Sequence, residues 1–156
     1  MATEVTPAEL ARQAALARQE FVAAGRAGEF PISMHLPVFA WDGPDGWDLV
    51  RDSLRYHAWK YEDMEHARGR AGEPRLPPPM TADDETALRD SIILGTPEEV
   101  AAAIDEYRRA AGGDLVFVAG LYFSGLAWDV QRQAVRTFAR QVAPLVRERA
   151  AGGVRD

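Results

Sequence analysis

Few residues in this chain have types and spacing suited to chemistry. Gly95-Thr96-Pro97-Glu98-Glu99 places an N-cap threonine, a first-turn proline and a glutamate three residues after the cap. A helix N-terminus at a strand end turns free N–H groups and a positive dipole end toward an anion such as a phosphate. The same residues also read as ordinary capping, with Glu98 and Glu99 supplying the negative charge themselves. Leu121-Tyr-Phe-Ser-Gly-Leu-Ala-Trp128 is aromatic and carries a glycine. Tyr122, Phe123 and Trp128 would wall an apolar small-molecule substrate, or else pack on the last helix or on a partner. Asp42 would accept a hydrogen bond from a substrate, though an Asp before Gly-Pro is also normal turn chemistry. His57, Glu62, Asp63, Glu65 and His66 invite a metal reading, and Glu62 and His66 share a helix face. They define no third ligand, and the stretch reads as a solvated helix end, so no metal is expected. No dinucleotide fingerprint, P-loop, serine elbow or catalytic carboxylate pair is visible.

The composition narrows the classes. The chain has 156 residues, a one-domain length, with 47% hydrophobic and 27% charged residues, as in ordinary globular proteins. Its net charge of −6 argues against nucleic acid and against an anionic membrane surface. No apolar run approaches the roughly 20 residues of a membrane span. The stretch MATEVTPAEL lacks the basic and apolar regions of a secretory leader. Cysteine is absent, which excludes disulfides and thiolate chemistry. Together these features fit a cytoplasmic location.

The positioning elements alternate. Thr6 to Gly25 reads as a helix with Leu10, Ala14, Ala17 and Phe21 on its apolar stripe. Pro31 to Trp41 reads as a strand apolar on both faces, hence covered on both sides, with Pro37 as a blemish. A helix from Trp47 to about Ala67 carries Val50, Leu54, Ala58 and Tyr61. Gly69 to Met80 reads as a Pro/Gly-rich surface insertion, and Asp84 to Arg89 as a short helix. Ser91 to Gly95 is a short strand, and Thr96 opens a helix that stops at Gly112-Gly113. Asp114 to Gly120 is a third strand, and after Ala127 comes a long helix with Val135, Phe138, Val142, Leu145 and Val146 inward. Arg132, Arg136, Arg140, Arg147 and Arg149 lie on or near its wet side. The order is α-β-α-β-α-β-α, and such alternation implies an α/β fold with a parallel sheet.

From Ser91 to Arg147 the sequence resembles the C-terminal segment of the luciferase-like monooxygenase family. The resemblance rests on IILGTPEEVAAAIDEYRRAAGGDLVFVAG followed by AVRTFARQVAPLVR. Gly95, Thr96, Pro97, Glu98, Glu99, Val100, Asp114, Phe138, Ala139, Val142, Pro144, Leu145 and Arg147 stand in matching places. Upstream, ELARQAALARQEFVAAGRAGEFPISMHLPVF is similar to the family's fifth helix and sixth strand. The resemblance implies FMN- or F420-dependent oxidoreductase chemistry on a (β/α)8 barrel. A whole barrel needs about 250 residues or more. Residues 1–156 are therefore expected to form a single partial barrel, about three parallel strands alternating with four helices.

The resemblance further implies that Gly95, Thr96 and Trp41 contact the cofactor, with Trp41 over a flavin edge. Asp42, Tyr122, Phe123 and Trp128 would line the substrate. His35 alternates with Phe39 and Trp41, so it would point into a barrel. There it is the one candidate proton donor, or else a hydrogen-bonded core histidine. No residue is assigned as a catalytic acid or base. Three strands leave two unpaired edges and a bare inner layer, so a homo-oligomer, or a chain supplying the missing strands, is expected. A lone monomer is not expected to be active. The alternative is a non-catalytic homodimeric α/β module that binds a small ligand or a partner enzyme.

Overall fold

A computed structural model describes residues 5–66, 77–113 and 115–152, with Glu65 and His66 described by backbone alone. Asp114 and residues 69–76 of the insertion lie outside the described residues. The elements are α1 (Pro7–Ala23), β1 (Ile32–Ala40), α2 (Gly46–His66), α3 (Ala82–Asp90), β2 (Ile93–Gly95), α4 (Pro97–Ala110), β3 (Leu115–Gly120), α5 (Trp128–Thr137) and α6 (Ala143–Gly152). The protein is an α/β fold with a three-stranded parallel sheet.

Local chemistry explains the element ends. Thr6 caps α1 and accepts from Glu9 N at 3.2 Å, with Pro7 in the first turn. Gly25, at φ +71°, closes α1: its N–H reaches Val22 O and that of Arg26 reaches Phe21 O. Gly112 and Gly113 close α4 the same way, onto Arg109 O and Arg108 O. Thr81 and Asp84 form a reciprocal cap at the start of α3. The described end of the insertion is tied down, because Arg55 donates to the carbonyls of Pro77 and Pro78.

The strand order is β2-β1-β3. Consecutive barrel strands are neighbours, which would put β2 in the centre; here β1 is central and the β2-to-β3 connection passes over it. Right-handed crossovers running in opposite directions must use opposite faces of a sheet. Two cores result. Leu36, Val38 and Ala40 pack against Val100, Ala101 and Ile104 of α4. On the other face Phe39 packs with Trp47, Val50 and Leu54 of α2.

The register divides the central strand by level. β3 pairs with Ile32 to Pro37, whereas β2 pairs only with Val38 to Ala40. The last helix belongs to both cores, with Ala134 of α5 in the Phe39 cluster and Val142 in the Val38 cluster. A π-helical turn, Phe138–Val142, joins α5 to α6, and Ala143 N donates to Phe138 O. Pro144 follows it and has no N–H to return to an earlier carbonyl, so the widened turn falls where the α-helical ladder is already broken.

Several expected inward residues are not inward. Val135 is exposed and Ala134 is buried in its place. Ala58 and Tyr61 are exposed because only the first half of α2 lies on the sheet. β1 is covered on both faces only at its C-terminal end. Lower down, Ser33 and His35 are exposed beside Val116 (54%) and Val118 (47%) of β3. Among the described residues no helix is long and apolar enough to cross a membrane.

Candidate functional site at the strand ends

In open α/β sheets, ligands bind beyond the C-terminal strand ends, where outgoing connections part to opposite faces. Here that place lies between β1 and β2, because α2 leaves toward one core and α4 toward the other. Trp41 N donates to Gly95 O at 2.9 Å, so these two expected cofactor contacts do come together.

Both are engaged by the protein's own groups. The Trp41 indole N–H donates to Asp45 Oδ1 at 2.9 Å. Gly43 lies beneath that bond, where a Cβ would come within 2.6 Å of the indole nitrogen. Glu99 folds back over the start of α4 and accepts from Thr96 N at 2.8 Å and Thr96 Oγ1 at 3.0 Å. The Thr96 amide, then its hydroxyl, hold the Glu99 carboxyl below the usual carboxylate range. A Cβ on Gly95 would lie 2.6 Å from Glu99 Oε2, so this close return depends on glycine. The anion seat at this N-terminus is thus taken by an internal carboxylate. A cofactor phosphate does not fit there without displacing it. Asp42 stands exposed in the turn after β1.

The aromatic loop divides. Phe123 is buried (4%) and meets Phe39 edge-on, with centroids 5.5 Å apart. Trp41 stacks on the same Phe39 ring at 5.5 Å. Phe123 is therefore a core residue rather than the substrate wall expected of it, because Gln131 pins the loop inward. The Gln131 amide accepts from Phe123 N at 2.9 Å and donates to Leu121 O. Tyr122 (73%) and Trp128 (68%) remain exposed at the sheet's end. Gln131 was missed from sequence, since a single amide in a helix carries no periodic signal.

His35 lies exposed on the open part of the sheet, paired in register with Val118. A Cβ on Gly120 would come within 2.7 Å of His35 Nε2, so the glycine makes room for the imidazole. The open surface sets the exposed Val116 and Val118 beside Ser33 and His35, and such apolar side chains suit contact with an aromatic ring. Among the described residues no three His, Asp or Glu side chains are grouped to hold a metal ion. Trp47 is fixed by a 2.6 Å bond to Glu85 and by Arg89 lying over its ring, which joins α2 to α3. No family model matches the chain, and no curated protein shows significant similarity to it.

Proposed function

We propose that the chain is an assembling module of a luciferase-like flavin- or F420-dependent oxidoreductase, acting as one wall of a site completed by another chain. The observation that carries this reading is the open stretch of sheet formed by Ser33, His35, Val116 and Val118. Its residues belong to neither core, and its Val116 and Val118 lie on β3, an edge strand. Such a surface supports contact with a ring system or a partner strand. Since Glu99 fills the seat at Thr96, the cofactor's phosphate would be held by residues beyond this site. When bound, the cofactor supplies the redox chemistry. Residues of this chain would cover one side of it, with the exposed Tyr122 and Trp128 helping to exclude water and His35 as the one candidate proton donor.

A second reading is favoured by the strand order. A sheet with helices on both faces and β1 at its centre is an open α/β arrangement, and it supports a non-catalytic homodimeric module that binds a small ligand or partner. A native mass spectrum of the purified chain separates the two. An oligomer carrying the extra mass of FMN or F420 is the expected result, and a cofactor-free homodimer that ignores both added cofactors would replace the first reading with the second.

A further inference from the structure

The last helix carries a row of arginines that form no ion pair among the described residues. Many other described cations are engaged: Arg12, Arg51, Lys60, Arg108 and Arg109 in ion pairs, Arg18 and Arg55 on carbonyls, Arg89 on Trp47, while Arg26, Arg147 and Arg149 stand singly without an ion pair among the described residues. Arg132, Arg136 and Arg140 form no ion pair among the described residues. The chain nevertheless has 24 acidic residues against 18 basic ones, so carboxylates are not scarce. The arginines stand at successive fourth positions, and Gln133, Thr137 and Gln141 form a second row alongside. Both rows line one open groove of about 370 Å³.

Rows at this spacing are the ridges of a helix, and the groove between two such ridges accepts a ridge of another helix. Arg132 and Arg136 stand in α5, where fourth positions rise about 6 Å, so carboxylates four residues apart on a facing helix would meet these two one to one; Arg140 stands in the widened turn and continues the line along the groove. Gln133, Thr137 and Gln141 offer hydrogen bonds along the same line. Asp129 closes one end and would repel an acid there, which gives the groove a direction.

We infer that this groove docks an acidic helix of a partner protein, one with Asp or Glu at three successive fourth positions and no acid opposite Asp129. A second copy of this chain does not match, because nowhere in its sequence do three acids follow at that spacing. The α2 pair Asp48 and Asp52 already holds Arg51.

The test is fluorescence anisotropy of the full chain with a labelled, Ala-rich helical peptide bearing Glu at three successive fourth positions. Saturable binding that weakens with salt is expected, with little binding of the Gln counterpart. The triple variant Arg132→Gln, Arg136→Gln, Arg140→Gln should weaken binding at least tenfold. Arg136→Glu should also lose the Glu peptide and regain affinity when the peptide's central Glu is Lys, a rescue that general surface attraction would not give. Circular dichroism checks that each variant is folded. Equal binding by wild type and triple variant overturns the inference, as does failure of the charge swap in folded Arg136→Glu. Tighter binding of inorganic polyphosphate or a single-stranded oligonucleotide than of the peptide would assign the groove to phosphate chains instead. Loss of self-association in the triple variant would assign it to a second copy.

Discussion

Two faces of one strand behave differently. The Leu36, Val38 and Ala40 face of β1 meets α4 and Val142, and its lower residue Met34 packs at the margin of the same cluster. The His35 and Phe39 face is sealed at Phe39 and open at His35. The difference follows from chain routing. α4 must cross from β2 to β3 and so spans the sheet, whereas α2 serves only the β1-to-β2 side. A face is closed where a helix lies over it, as α2 and α5 do at Phe39, and it stays open where none does.

The contrast is tested first where burial is complete. Phe39→Ala should cost about 3–5 kcal/mol, the usual penalty for emptying an aromatic core position. Urea unfolding measures it, and a loss below about 1 kcal/mol would mean the second core is loosely packed. Gln131→Ala removes the clasp on the aromatic loop and leaves the buried Phe123 N–H unanswered, at about 1–3 kcal/mol. Its signature is increased exposure of Phe123, read by hydrogen exchange of the loop amides, and unchanged exchange would remove the clasp from the account. Gly120→Ala crowds the His35 ring at the border of the open region and should cost about 1 kcal/mol. In a His35→Ala background that cost should shrink by more than half, and full additivity of the two changes would show that the ring is not the obstacle.

Smaller effects come from the helix starts and from the open face itself. The Glu99 and Asp84 carboxyls are both held low by their cap partners. A depressed folded pKa means stability present above the ordinary carboxylate range and lost as pH falls through the folded value. Thermal melts should therefore weaken on acidification, and Glu99→Gln should make that fall shallower; an unchanged slope counts against the cap. Val118→Ala should change stability by less than about 0.5 kcal/mol in the dilute chain, the ordinary cost of a surface change. A Val118→Ala penalty approaching that of Phe39→Ala would show the face to be covered after all.

Much of this architecture was legible in the residues. Thr96-Pro97-Glu98-Glu99 announces α4 because cap chemistry is local, and the glycine stops at Gly25 and Gly112 are local for the same reason. The parallel α/β class followed from alternation. Strand order did not, because Ile93, Leu94 and Gly95 carry no mark saying which side of β1 they will join. Ala134 displaced Val135 from the core where the helix passes into a widened turn before Pro144, and a fixed helical period takes no account of such a turn. At the candidate site, sequence brought forward Trp41, Gly95 and Thr96, which do meet, and Phe123, which is interior. The loop that buries Phe123 is held by Gln131, a side-chain-to-backbone contact with no spacing rule behind it.

The register also has a meaning in time. Ile32 awaits Leu115 and Val38 awaits Ile93, so the central strand is synthesised well before either neighbour. Closing such long loops is entropically slow, and a parallel pair cannot be shortened to a hairpin. While the chain emerges, Ile32 to Ala40 must remain unpaired with most of its residues apolar, and Pro37 is the one position in it that offers no N–H to a stranger. The proline that weakens the finished ladder thus protects the strand during its wait.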